Sequence, residues 1–414
     1  MRRTWGCATL YGKDRSGPGR NAEGRKMSIP CEYRTDQLFL LVGTNPVPNW
    51  VAARLLLEDG GTLHLIYSDE TAKVAERLGK HLELDVKLLC VNPTDARNIK
   101  HKVQERLQKL SGSVGLHYTG GTKTMAVHTY RAIEQMSGDR RPPPIFSYLD
   151  ADAFELRVDP DWHETVLLDV RPTLEDLAAL HGVRLREGSP QREKDLRYLE
   201  TASALASSGP RGGLDAWRAW CDTLGEQLQA SSPMLRLPDD PVLEDAMVVL
   251  RRDMGLPKDT TELPRDLFTP LSKWFNGDWL EHYVLAQIIQ IAGQVDVHDC
   301  GMSLATEQSK GRRADFDFEF DVAAMRGYQL FGLSCTTSTR KDLAKFKLFE
   351  AYVRARQLGG DEARVGLVCG YEHARRFERE VVQEWLAKDK IKVFGPHELP
   401  DLAGHLDKWF MTAQ

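Results

Sequence analysis

Near the carboxyl end the stretch ADFDFEFDV (314–322) alternates Asp315, Asp317, Glu319 and Asp321 with Phe316, Phe318 and Phe320. Successive side chains of a strand point to opposite faces, so the four acids share one face. Carboxylates crowded in that way repel unless solvent, a basic partner or a divalent cation relieves them. Upstream, Glu281 in DWLEHYVLAQII falls on the same helical stripe as Val284, Leu285 and Ile288, where an acid needs a reason to be. A nearby metal site supplies one; a boundary surface acid is the structural alternative.

A second chemistry-bearing stretch is GLHYTGGTKTMAVH (115–128). Gly115 and Gly120 have P-loop spacing, but Gly121 stands where the lysine belongs and Lys123 comes two places late, so the Walker motif fails. What remains is an apolar run leading through Thr119, Gly120, Gly121 and Thr122 into a helix beginning near Lys123. That geometry aims backbone N–H groups and a positive helix end at an anionic ligand. A glycine turn that merely reverses the chain is the structural alternative. His117 and His128 fit structural positions, one within the strand pattern and one on the helix.

The elements that must position these residues fall into two sets. Apolar runs at 37–45, 62–70, 85–93, 113–121 and 145–154 alternate with helical patterns around 50–58, 70–82, 94–110 and 123–137, which predicts a doubly wound α/β sheet. Ligands of such sheets collect at the strands' carboxyl ends, where Thr44, Asn45, Ser68, Asp69, Thr119, Gly120, Gly121, Thr122 and Lys123 fall. Residues 186–265 are rich in Arg, Glu, Ser and Pro and read as a helical connector. From about residue 270 the order is a helix, strands at ADFDFEFDVAAM and YQLFGLSC, a helix over about 341–358 and a strand at 364–370. This is a second α/β domain. The predicted division is a basic disordered tail over 1–35, a first domain over 36–185, the connector over 186–265 and a second domain over 266–414.

A chain of 414 residues with 42% hydrophobic content holds two or three domains. A formal charge of −5 argues against a coat for nucleic acid and restricts any polynucleotide groove to a local patch. Seven cysteines without a CxxC pair indicate neither a zinc ribbon nor a disulfide scaffold, and predict a reducing cytoplasm. No run approaches the roughly 20 apolar residues that span a bilayer, so no membrane partner is expected.

VGTNPVPNWVAA (42–53), IYSDET (66–71) and LHYTGGTKTMAVHTY (116–130) together resemble a CARF domain, the Rossmann-like sensor of CRISPR-associated type III ancillary effectors. The resemblance covers roughly residues 36–185 and is narrower for the subgroup with a C-terminal PD-(D/E)xK nuclease. It implies a homodimer binding cyclic oligoadenylate, cA4 favoured over cA6, across a two-fold axis. It also adds Pro46 to the ligand loops.

In the nuclease family that the second half resembles, a helical Glu precedes an E-x-D strand and an E-x-K strand. The resemblance implies Mg²⁺ or Mn²⁺ on Glu281, Glu319 and Asp321, with cleavage of DNA or RNA. The second strand departs from the pattern, with Ser334 at the usual acid and Thr336 at the usual lysine. Lys347 and Glu350, on the polar stripe of the next helix with Arg354 and Gln357 and beside Phe346, Phe349 and Val353, are candidate catalytic substitutes. Ion pairing at i, i+3 is the structural alternative. Lys341, Lys345, Arg354, Arg356, Arg312 and Arg313 are candidates for the polynucleotide backbone. An R-x4-6-H ribonuclease motif at Arg157 and His163 is discounted, because Pro160 between them reads as a turn. Two functions remain. One is a cyclic-oligoadenylate-activated, metal-dependent nuclease; the other is a non-catalytic sensor, or a ring nuclease, with a degenerate nuclease domain.

Overall fold

The structure is a computed structural model that describes residues 29–136, 138, 142–160, 162–229, 233–307 and 319–412. The chain divides into two compact units, Met1–Gly182 and Val183–Gln414.

The first unit is built on seven strands: β1 (Thr35–Leu41), β2 (Leu57–Tyr67), β3 (Asp85–Cys90), β4 (Val114–His117), β5 (Ile145–Asp150), β6 (Glu155–Val158) and β7 (Trp162–Thr165). Their order is β3-β2-β1-β4-β5-β6-β7. The first five are parallel and β6 and β7 add an antiparallel hairpin. The helices are α1 (Val47–Leu56), α2 (Ala72–Leu82), α3 (Ala96–Leu107), α4 (Lys123–Gln135) and α5 (Leu174–His181). The strand core is apolar because it is covered on both faces: Phe39, Leu41, Ile66 and Leu116 cluster with Ile99 and Val103 of α3 and Met125 and Ile133 of α4. The order reverses between β1 and β4, which makes their carboxyl ends the switch point of the sheet. The final hairpin was not anticipated, since four-residue strands carry little periodicity. Arg157 and His163 are cross-strand partners on that hairpin and both pair with Glu155, so the discounted ribonuclease motif has no helix under it.

The second unit contains α6 (Leu199–Ser208), α7 (Gly213–Gln229), the hairpin strands β8 (Met234–Arg236) and β9 (Glu262–Pro264), α8 (Glu244–Asp253) and the short α9 (Arg265–Phe268). These are followed by α10 (Trp279–Ile291), β10 (Val297–Ala305), β11 (Glu319–Arg326), β12 (Gln329–Thr336), α11 (Lys341–Gly359), β13 (Arg364–Cys369), α12 (Ala374–Glu384), β14 (Ile391–Phe394) and α13 (Leu402–Thr412). The five-stranded sheet runs β10-β11-β12-β13-β14, antiparallel up to β12 and parallel beyond it. One core joins Trp217 and Leu250 from residues 186–265 to Trp279, Leu285, Phe331 and Trp409. Those residues therefore pack as part of the second unit.

Two features of this unit differ from expectation. Strand β10 was not foreseen, because VHDCGMSLA alternates weakly and carries a register irregularity near Val297. Phe346 and Phe349, expected on an apolar stripe, are 62% and 52% exposed. The buried stripe of α11 is instead formed by Ala344, Leu348, Ala351, Ala355 and Leu358. Asp315, Phe316, Asp317, Phe318, Arg312 and Arg313 lie outside the described residues, as does nearly all of the 1–35 tail.

Candidate functional site

In the first unit the loops after β1 and β4 meet at the switch point. Gly120 is seated so closely on β1 that a Cβ there would lie 2.1 Å from the Leu41 carbonyl oxygen. Gly121 has φ +71°, a region that glycine enters without a side-chain penalty. Asn49 of α1, wholly buried, donates its Nδ2 to that same Leu41 carbonyl at 2.9 Å, so α1 fixes the end of β1 against the glycine loop.

The α4 end is ordered by its own cap. The Thr122 hydroxyl accepts from Met125 N at 3.2 Å, satisfying one orphan donor of the first turn. Lys123 is exposed at the first helical position. Thr119, also exposed, accepts from Leu149 N at 2.7 Å, and Asn45 accepts from Val47 N at 3.0 Å. Thr44 is exposed and Pro46 is buried just ahead of α1.

Thr44, Asn45, Pro46 and Thr119–Lys123 thus share one sheet end. Ser68 and Asp69 follow the neighbouring β2, but Ser68 turns inward: it is 5% exposed and closes a capping box with Thr71. Asp69 faces solvent and is hydrogen-bonded by the Cys90 thiol at 3.4 Å. The loop after β3 also reaches this end, where the Thr122 hydroxyl donates to Pro93 O at 3.4 Å. That loop carries Asn92 and Thr94, whose side chains are tied to each other, the Thr94 hydroxyl donating to Asn92 Oδ1 at 3.0 Å. His117 is fully buried, with Nδ1 3.1 Å from the Ser147 hydroxyl. Burial pushes it down to about 3, so it is a neutral core residue.

In the second unit the acids gather around Glu281. It follows the π-helical turn Trp274–Asp278 that opens into α10, while Val284, Leu285 and Ile288 of the same helix are wholly buried. Burial, then the nearby carboxylates of Asp321, Asp278 and Glu319, push the Glu281 carboxyl up to about 9, with Lys347 opposing the shift. The Ser303 hydroxyl lies 3.5 Å from Glu281 Oε2. Glu319 and Asp321 bracket the buried Phe320 on β11, and Arg186 reaches Glu319 at 3.6 Å.

Asp321 Oδ2 accepts from the Ser334 hydroxyl at 2.8 Å and from Cys335 N at 2.6 Å. Ser334, at the position where an acid is usual, is therefore a donor that holds Asp321 in place. Thr336 accepts from Ser338 N at 3.2 Å and shapes the turn into α11. Lys347 is half-buried, and its charge acts on both Glu281 and Cys335. Glu350 is exposed and is not among the principal charges bearing on Glu281. Asp278 went unnoticed in the sequence because nothing marks the π-turn that brings it in; burial and then Asp321 raise its carboxyl, against the pull of Lys273.

Among the described residues no three His, Cys, Asp or Glu side chains converge tightly enough to cage a metal ion. The donor set is nevertheless all hard oxygen, the type that Mg²⁺ and Mn²⁺ prefer. Desolvation and then three acids, against one lysine, raise the half-buried Glu281 carboxyl, so added positive charge is favoured there. Of the candidate backbone contacts, Lys341 and Lys345 are engaged with Glu380 and Glu384 of α12, and Arg356 with Asp361. Arg354 bonds Gln357 at 3.0 Å.

Fold and site together define a class: a Rossmann-like unit with a donor-lined switch point, joined in one chain to a mixed-sheet unit with an acid cluster beside a lysine. Residues 271–413, within the second unit, match the family described as Card1-like, endonuclease domain. Protein VC1899 from Vibrio cholerae has the same fold, with a TM-score of 0.72 at 18% identity over 91% of this chain and 99% of that one. So does Can2 from Sulfobacillus thermosulfidooxidans, solved in complex with cyclic tetra-adenylate, with a TM-score of 0.67 at 15% identity over 91% and 97%. No curated protein matches the chain in sequence. Among the described residues no helix is long and apolar enough to cross a membrane.

Proposed function

We propose that the chain is a metal-dependent nuclease of the CRISPR type III response, controlled by cyclic oligoadenylate and acting as a homodimer. The observation that carries the reading is that the charges of Asp321, Asp278 and Glu319, opposed by Lys347, all bear on the Glu281 carboxyl, in the segment that matches an endonuclease-domain family. Glu281, Glu319 and Asp321 would hold Mg²⁺ or Mn²⁺, which when bound supplies Lewis acidity toward a phosphodiester and its attacking water. Ser334 and Cys335 N orient Asp321, and Lys347 offsets negative charge at the scissile phosphate, a positioning and electrostatic role.

The ligand site is the switch point of the first unit. Thr44, Asn45, Thr119, Thr122 and Lys123, with the backbone N–H groups at Gly120 and Gly121 and the positive end of α4, suit a ring of phosphates. Asp69 suits a ribose hydroxyl or an adenine amine. The ligand carried by Can2 supports cyclic tetra-adenylate as the first candidate.

A second reading, a sensor or ring nuclease that has lost cleavage, is favoured by Ser334 and Thr336 standing at the usual acid and lysine. The two separate in one experiment. The chain and its Asp321→Ala variant are incubated with supercoiled plasmid and labelled RNA, with Mn²⁺ or Mg²⁺, with and without cyclic tetra- or hexa-adenylate. Ligand-dependent cleavage lost in the variant establishes the nuclease and its substrate; tight ligand binding with no cleavage establishes the sensor.

A further inference from the structure

We infer that the second unit holds a subsite for one nucleobase of a polynucleotide strand, beside the acid cluster on the same sheet edge; this rests on the nuclease reading. A cavity of about 300 Å³ opens at the carboxyl ends of the parallel strands, walled by the turns after β12, β13 and β14 and by the turn that enters α7. Carboxyl ends of parallel strands are where such sheets receive ligands, and this volume is at the lower end of small-ligand sites, right for a single base.

The lining chemistry selects a base over a phosphate. Tyr371 is fixed edge-on against His373 and Phe377, at centroid distances of 5.9 and 6.1 Å. It therefore presents a rigid ring to the cavity wall. Thr339 and the imidazoles of His373 and His397 can donate hydrogen bonds, while Asp215 and Glu372 can accept them. His397 lies 3.6 Å from Glu372. Two carboxylates would repel a phosphate, whereas alternating donors and acceptors beside an aromatic ring match the edge and face of a base.

Placement ties the cavity to the cleavage site. Strand β12 holds Asp321 through Ser334 and Cys335 N and pairs with β13 through Thr336 and Cys369. Gly370 N at the cavity wall donates to Thr336 O at 3.1 Å. Adjacent strands are about 4.8 Å apart, so the ends of β13 and β14 lie roughly 5–10 Å from that of β12, a short step along a polynucleotide.

The test uses the full chain carrying Asp321→Ala, in EDTA with cyclic tetra-adenylate, and single-stranded DNA or RNA oligonucleotides bearing 2-aminopurine at successive positions. One position is expected to lose fluorescence on binding. Tyr371→Leu, His373→Ala and His397→Ala, the last two being exposed substitutions, are each expected to weaken binding by about tenfold and restore the fluorescence. Quenching at no position, or variants that bind and quench like the parent, overturns the subsite. Binding of AMP alone with no affinity for the oligonucleotides overturns its assignment to a strand. Failure of the nuclease reading looks different: the chain with Asp321 intact then binds and quenches but never cleaves with Mn²⁺, and the subsite stands.

Discussion

At the scale of the residue, the departure at Ser334 is the most informative feature of the second unit. A carboxylate there would face Asp321 across the strand pair and add to the crowd that, with burial as the larger cause, already raises Glu281 to about 9. Ser334 instead gives Asp321 one of its two described donors. Removing it with Ser334→Ala leaves Cys335 N in place, so the expected outcome is a loss of about tenfold in single-turnover cleavage, equivalent to one hydrogen bond to a charged group of about 1.4 kcal/mol. The melting temperature should change by no more than about 3 °C. An unaltered cleavage rate would remove Asp321 positioning from the mechanism.

At the scale of the element, two segments carry predictions. The start of α4 presents Lys123 to solvent at the positive end of a helix whose cap, Thr122, is independent of it. Lys123→Ala is expected to leave the fold unchanged and weaken cyclic tetra-adenylate binding at least tenfold, with a shallower dependence on salt, as a phosphate contact requires. Calorimetric titration at two ionic strengths checks it.

The second segment is the turn between α11 and β13. Burial raises the Glu362 carboxyl from 4.5 to about 7. Below about pH 4.5 Glu362 is protonated whether the chain is folded or not, and it has no effect. Between 4.5 and 7 the unfolded chain ionises first, so stability falls as pH rises, by up to about 3 kcal/mol, and then levels off. Denaturant titrations of Glu362→Gln are expected to show that slope abolished.

At the scale of the whole molecule, a ring of phosphates is two-fold symmetric while each chain offers a single switch point. The proposed homodimer therefore predicts one cyclic tetra-adenylate per two chains and a dimer in solution without it. Calorimetry and sedimentation read both quantities; one ring per chain would reassign the ligand to a site complete within the monomer. Cleavage should rise with ligand occupancy, because a ligand shifts an equilibrium only by its preference for one of the two states.

Much of the chain could be read locally. The buried parallel strands announce themselves as continuous apolar runs, and the run through Thr119 to Lys123 ends where a cap must start a helix, because capping and periodicity act between residues a few positions apart. The inward turn of Asp321 onto Ser334, the entry of Asp278 through a π-turn, the exposure of Phe346 and Phe349 and the weak strand β10 had no such signature. Each depends on which distant segment packs against it. The sequence by itself determined the buried parallel strands, the switch-point loop and the strand of Glu319 and Asp321, since those follow from side-chain period and backbone chemistry. Only the tertiary structure decided that Ser334 serves Asp321, that Lys347 rather than Glu350 acts on the acids, and that Ser68 is spent on its own cap, because burial and charge coupling exist only once the segments are brought together.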